Sequence, residues 1–207
     1  MSLTLYTNPM SRGRITRWML EECGASYEAV QLDYGTTMKA PNYLAINPMG
    51  KVPALTNGDA VVTEVAAICL WLADRFPDKQ LAPALNTPER AAYYRWIAFI
   101  SGPFEAVMTA KAEGHFAKPM QAGYGTLADV VRTLEGAVSR GPYLCGDHFT
   151  AADLLMSAYL SFYTQWKLLD ANPVFARYYE PHLARPAQGR ANAMDEALMA
   201  QQQQQQQ

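Results

Sequence analysis

The chain has 207 residues and a formal net charge of −2; half of its residues are hydrophobic and 17% are charged. That balance describes a globular protein with a sizeable core, arranged as one large domain or two small ones. A pI near 5.9 leaves no basic footprint for nucleic acid, and no apolar run approaches the roughly 20 residues that cross a bilayer. Met1-Ser2-Leu3-Thr4-Leu5-Tyr6 lacks the basic and then apolar pattern of a secretion signal, so a cytoplasmic protein is expected.

In chain order, Leu3-Thr4-Leu5-Tyr6 alternates as a half-buried strand does, and Asn8-Pro9 breaks it. Ile15, Trp18 and Met19 follow at helical spacing, with Gly24 as the stop. Residues 27–32 read as a second strand, which makes a βαβ unit with parallel strands. After an irregular stretch ending in Asn47-Pro48-Met49-Gly50, Val52 to Leu55 and Ala60 to Thr63 flank an Asn57-Gly58 turn, a hairpin signal. A helix over residues 64–76 then places Ala67, Ile68, Trp71 and Leu72 on one stripe. The order β-α-β and then β-β-α is thioredoxin-like.

A proline-punctuated linker follows, and everything beyond it reads as helix. Thr87-Pro88-Glu89 supplies a cap, a proline at the first helical position and an early carboxylate. Gly102-Pro103 should kink or split that helix. Leu127, Val130, Val131, Leu134 and Val138 mark an amphipathic helix, Asn172-Pro173 starts another, and Arg185-Pro186 breaks it. Thr150-Ala151-Ala152-Asp153 is a capping box with Phe149 and Leu154 placed as a hydrophobic staple, whose cap is worth about 1 kcal/mol. The expected fold is therefore an α/β thioredoxin-like domain over residues 1–78, a linker over 79–87 and an all-α helical domain over 88–200. A disordered poly-Gln tail is expected over 201–207.

Three cysteines, Cys23, Cys69 and Cys145, are widely spaced with no C-x-x-C, which argues against a disulfide framework or a zinc site. Cys23 and Cys69 read as small hydrophobes, and Cys145 is expected to be the more exposed. His115 stands isolated and receives no role.

Four segments in register resemble the cytosolic glutathione transferase family. Leu5-Tyr6-Thr7-Asn8-Pro9-Met10-Ser11-Arg12-Gly13-Arg14 resembles its first strand and catalytic loop, and Lys51-Val52-Pro53-Ala54-Leu55 its segment around a cis-proline. Thr63-Glu64-Val65-Ala66-Ala67-Ile68 resembles its helix at the γ-glutamyl end of glutathione, and Gly146 to Asp153 its capping-box segment. The resemblance spans all but the tail. It implies glutathione as co-substrate, no metal, a homodimer, and detoxification by conjugation to a small hydrophobic electrophile. Nucleic acid and membranes are not among the implied partners. A glutathione-dependent isomerase, lyase or peroxidase, and a non-catalytic binding or regulatory protein, are the alternatives on the same scaffold. A thiol-disulfide oxidoreductase is disfavoured because Met10-Ser11 stands where its cysteine is expected.

The residue roles follow from the resemblance. The Val52 N–H and C=O would pair with the cysteinyl backbone of the tripeptide if the bond to Pro53 is cis; on the residues alone, Pro53 reads as an ordinary strand-initiating proline. The α-carboxylate would lie on the Val65 N–H at a helix start, and Glu64 would accept from the α-ammonium. Lys51 would meet the glycyl carboxylate, and read by itself is a solvated loop lysine. Val65 departs from the family, which usually carries Ser or Thr there as a second donor. Ser11 is the expected thiol-activating hydroxyl and Tyr6 its rival, although Ser11 alone reads as a helix cap. Arg12 and Arg14 would add positive potential or form surface salt bridges. Tyr94, Phe99, Phe104, Met108 and Trp166 are candidates for the apolar pocket by position only.

Overall fold

The computed structural model describes residues 2–205 and divides into two compact units, Met1–Lys79 with Arg185–Gln207, and Gln80–Ala184. In the first unit a four-stranded sheet has the order β2-β1-β3-β4. Strands β1 (Leu3–Thr7) and β2 (Tyr27–Gln31) are parallel, joined through helix α1 (Gly13–Cys23). Strands β3 (Ala54–Asn57) and β4 (Ala60–Thr63) form an antiparallel hairpin, with β3 antiparallel to β1. The expected βαβ-ββα order is thus present. Strand β3 starts at Ala54 rather than Val52, since Pro53 has no N–H to give to a ladder.

Alternation along β1 divides its side chains between two faces. Leu3, Leu5 and Thr7 are buried on one. Tyr6, on the other, packs with Val52 and Ile46 against a cluster of Leu32, Met38, Tyr43 and Ala54. That second face is roofed by the stretch that reads as irregular in the sequence, which holds a 3₁₀ turn (Thr37–Lys39) and the short helix α2 (Pro41–Leu44). Helix α3 (Val65–Arg75) contributes buried Ile68, Cys69 and Leu72. Helix α1 contributes Ile15, Trp18, Met19 and Leu20, and closes on Gly24 in the left-handed conformation at φ 60°.

Helix α9 (Pro186–Gln205) belongs to this first unit, packed on α1. The sequence reading placed residues 88–200 together in the helical domain; the structure groups the last helix with α1 instead. The physical reason is a buried ion pair, Arg17 Nε to Asp195 Oδ1 at 2.9 Å, with side chains 3% and 1% exposed. Desolvation raises the Asp195 carboxyl above its ordinary pKa against the pull of Arg17 and Arg14. Glu22 and Glu21 add two further anchors, accepting from Arg185 at 2.7 Å and Arg190 at 2.8 Å. The expected disordered tail is also corrected in part: Gln201–Gln205 continue α9, and Gln206 and Gln207 lie outside the described residues.

The second unit is helical. Thr87 caps α4 (Pro88–Phe99) by accepting from the Arg90 N–H at 3.2 Å. At the expected break, one π-helical turn (Ile100–Phe104) holds Pro103 and leads into α5 (Glu105–Ala112). The wide turn absorbs the N–H that Pro103 lacks and the room its ring needs. Helix α6 (Leu127–Val138) is capped by Thr126, α7 (Ala151–Gln165) carries the capping box, and Asn172 caps α8 (Pro173–Leu183). Phe104 packs edge-on against Tyr163, centroids 5.3 Å apart, at the centre. Ser157 and His182 bridge α7 and α8 by a buried hydrogen bond of 2.8 Å. Among the described residues no helix is long and apolar enough to cross a membrane.

The capping-box carboxylate does more than cap. Asp153, wholly buried, takes the Thr150 N–H and hydroxyl at 2.8 Å each on Oδ2. Its Oδ1 takes the Leu144 N–H at 2.7 Å and the Tyr178 hydroxyl at 2.6 Å. One charge therefore ties the loop before α7, the start of α7 and α8. Cys145, beside this loop, is buried rather than exposed; burial first, and the Asp153 charge second, push its thiol up to about 12.

Asp153→Asn removes the charge while turning an amide N–H toward donors. With each hydrogen bond to a charged group worth about 1.5–3 kcal/mol, urea unfolding followed by circular dichroism should report a loss above about 3 kcal/mol. Thr150→Ala should lose about 1 kcal/mol. A loss at Asp153 no larger than at Thr150 would contradict the anchoring role.

Candidate functional site

The strand register gathers the predicted residues at one end of the sheet. Tyr6 of β1 stands opposite Ala54 of β3, and Ala54 opposite Thr63 of β4. The loop that leaves β1, the segment that enters β3 and the helix that follows β4 all emerge from this edge. They carry Ser11, Lys51-Val52-Pro53 and Glu64-Val65 respectively.

The entry to β3 is held from beneath. The Lys51 carbonyl accepts from the Tyr43 hydroxyl at 2.5 Å and from Asn47 Nδ2 at 2.8 Å. Burial pushes the Tyr43 hydroxyl up to about 12, so it is a neutral donor at any physiological pH. Asn47 also accepts from the Met49 N–H at 3.1 Å and, through its carbonyl, from the Gly50 N–H at 2.8 Å. Gly50 sits at φ 58°, and a Cβ there would stand 2.7 Å from the Met38 carbonyl oxygen, so only glycine fits. The Val52–Pro53 bond is cis. Val52 lies just outside the β1–β3 ladder, which begins at Ala54, so its N–H and C=O are not used in sheet pairing.

Glu64 occupies the position before α3 with φ 67° and ψ 122°, uncommon for a residue with a β-carbon. Its carbonyl accepts from the Ile68 N–H at 2.9 Å, the first bond of α3. The N–H groups of Val65, Ala66 and Ala67 thus precede any intrahelical partner, the geometry that receives an anion. Val65 is half-buried and supplies only its main chain. Lys51 is exposed. Lys39, which sequence reasoning missed, donates to the Met49 carbonyl at 2.8 Å and brings a second cation to the same loop. Nothing in Thr37-Met38-Lys39 distinguishes it from a surface lysine until the loop closes.

Ser11 is half-buried. Its hydroxyl donates to the Asn8 carbonyl at 2.7 Å and accepts from the Gly13 N–H, the first of α1, at 2.9 Å, from one residue before the Arg12 cap position. Tyr6 lies on the α2 side of the sheet with its ring 5.6 Å from that of Tyr43. Arg14 donates to Asn192 of α9 at 3.0 Å, a structural tie. In the second unit Phe104 and Met108 are wholly buried, which removes them as pocket-lining candidates; Tyr94 and Trp166 are exposed and Phe99 half-buried.

The family described as glutathione S-transferase, N-terminal domain, matches residues 1–74. A probable glutathione S-transferase of Oryza sativa subsp. japonica is 30% identical over 202 residues, covering 89% of this chain and 93% of that protein. A solved glutathione transferase of Methylococcus capsulatus superposes with a TM-score of 0.80 at 30% identity, covering 94% of this chain and 99% of that one. A sphingomonad glutathione S-transferase solved in complex with glutathione superposes with a TM-score of 0.75 at 26% identity, covering 93% and 98%.

Val65→Ser adds a hydroxyl donor at the free end of α3. A charge-assisted hydrogen bond of about 1.5–3 kcal/mol should tighten glutathione about tenfold or more in titration calorimetry. Unchanged or weaker binding would show that the carboxylate does not sit on this helix.

Proposed function

The chain belongs to the glutathione S-transferase family, and on that premise we propose that it is a transferase that holds glutathione at the open edge of its sheet and directs the thiolate at a small hydrophobic electrophile. The convergence of three segments on that edge carries the reading: a loop hydroxyl, an unpaired peptide at Val52 and the free N–H groups of α3. Glutathione fits this set by its own chemistry. Its cysteinyl peptide has one donor and one acceptor to match the Val52 backbone as an added strand does. Its γ-glutamyl carboxylate suits the α3 N-terminus, its ammonium suits Glu64, and its glycyl carboxylate suits the cations of Lys51 and Lys39.

The chemical step needs a thiolate. A thiol of pKa about 8.5 is only a few per cent ionised at neutral pH, and a shift of about two units asks for about 2.7 kcal/mol of selective stabilisation of the anion. We assign this to Ser11. Rotation about its Cβ–Oγ bond turns the hydroxyl hydrogen from the Asn8 carbonyl to the sulfur, while Oγ keeps accepting from the Gly13 N–H, which strengthens the hydroxyl as a donor toward the anion. Tyr6 packs its ring on that of Tyr43, on the α2 side of the sheet, away from the α1 face that carries Thr7 and Gly13. The thiolate then attacks an electrophilic carbon, forming the S–C bond as the leaving group departs or the adjacent double bond takes up the electron pair. A cytoplasmic homodimer acting in detoxification is the setting we propose.

Retention on glutathione-agarose and turnover of a chloronitrobenzene test the reading together. Ser11→Ala should lower kcat about tenfold or more, as loss of a general donor does, with glutathione affinity within about threefold of the parent protein. Tyr6→Phe should stay near the parent in both. The opposite pattern transfers the role to Tyr6, and retention without turnover of any electrophile in a broad panel makes this a binding protein.

A further inference from the structure

Thr7, the last residue of β1, is wholly buried, and its Oγ1 makes no hydrogen bond among the described residues. Its backbone is fixed, since its carbonyl accepts from the Leu32 N–H at 2.9 Å. By strand alternation its side chain shares the face of Leu3 and Leu5, on which α1 lies. There it meets Gly13. A β-carbon on Gly13 would stand 2.0 Å from Thr7 Oγ1, 3.1 Å from Thr7 Cβ and 2.9 Å from Ser11 Oγ. The two hydroxyl oxygens therefore converge on the space that glycine leaves empty.

Gly13 has no positive φ that would call for glycine. Its lack of a side chain is demanded by packing alone. The same residue donates its N–H to Ser11 Oγ at 2.9 Å, so the separation between Thr7 and Gly13 sets where that N–H points and which way the Ser11 hydroxyl turns. Thr7 is the floor of this arrangement, Gly13 the spacer, and Ser11 the group that is aimed.

We propose that Thr7 is a positioning residue for Ser11, acting through its direct contact with Gly13; the inference rests on the reading that Ser11 activates the thiol. A methyl group at position 13 forces Thr7 or the first turn of α1 to move by about 1.4 Å, from 2.0 to 3.4 Å, to restore an ordinary contact with Oγ1, and a displacement of about 1 Å already costs up to about a hundredfold in rate. Glutathione is held by Val52 and α3, which are fixed independently by Tyr43, Asn47 and the β3–β4 hairpin. The contact therefore governs the ionisation of the bound thiol and not its capture.

The test is the absorbance titration of the thiolate in the enzyme–glutathione complex, alongside kcat and the glutathione dissociation constant. Gly13→Ala should raise the bound thiol's pKa by about one unit toward its free value near 8.5 and lower kcat about tenfold, with the dissociation constant within about threefold. The double variant Thr7→Ala/Gly13→Ala removes the oxygen that faces the new methyl most closely and should regain about threefold in kcat over Gly13→Ala, short of the parent because the 2.9 Å approach to Ser11 Oγ remains. Thr7→Val keeps Gly13 and puts a larger methyl where the hydroxyl stood; it should shift the thiol pKa in the same direction by a smaller amount, and it decides the matter if Gly13→Ala does not fold. Parent-like thiol pKa in Gly13→Ala and Thr7→Val, or a double variant no better than the single one, overturns the proposal. Ser11→Ala in the same titration separates the two readings. If it leaves the thiol pKa unmoved, the role of Ser11 falls and this inference with it; if it raises the pKa while the Gly13 and Thr7 variants do not, this inference alone falls.

Discussion

One buried amide organises the exit from the first strand. Asn8 is 4% exposed. Its Nδ2 donates to the Leu32 carbonyl at 2.7 Å, its Oδ1 accepts from the Met10 N–H at 2.9 Å, and its own carbonyl receives both the N–H (3.0 Å) and the hydroxyl (2.7 Å) of Ser11. A chain that turns from strand to helix inside a protein must find partners for backbone groups that neither element satisfies. A single asparagine meets that demand here, ties the ends of β1 and β2 together, and hands the chain to α1 with the Ser11 hydroxyl on its first N–H. The strand register brings the other two segments to this end of the sheet, and the tight turn keeps Ser11 beside them.

The cradle beyond it is built mostly from main chain. Val52 offers a peptide, α3 offers N–H groups, and the side chains that matter most there, Tyr43 and Asn47, act from below by gripping the Lys51 carbonyl. A valine can therefore stand at the start of α3 without dismantling the site: it forgoes one donor and leaves the backbone ones in place. On the assignment proposed above, the arrangement divides labour between segments that hold a peptide-like ligand and a hydroxyl that acts on its sulfur.

The element order, the hairpin, the caps at Thr87 and Asn172, and the box at Thr150 were legible in the sequence because each depends on neighbours a few residues apart. So was the gathering of Ser11, Pro53 and Glu64, which follows from the order of strands once the family pattern is seen. What was hidden depends on partners far along the chain. Asp195 finds Arg17 across 178 residues, and nothing near residue 195 announces a buried charge. The poly-Gln stretch reads as disordered by composition, yet it prolongs a helix that tertiary packing has already nucleated, the step that isolated segments find hardest. Cys145 looked open beside a glycine but sits under the Asp153 network, and Phe104 and Met108 looked like pocket walls but fill the centre of the helical unit. Tyr43 and Lys39 gave no signal, since their roles depend on how an aperiodic loop closes.

The union of α9 with α1 bears on how the molecule comes off the ribosome. Synthesis runs from the amino end, and domains generally fold as they emerge, but here the flank of α1 that bears Arg17 lacks its partner Asp195 until α9 has been translated. The intervening helices, with their own core around Phe104 and their own anchor at Asp153, complete themselves first. Maturation of the thioredoxin-like half thus waits for α9, and a premature stop after Ala184 would injure the half that was made earliest.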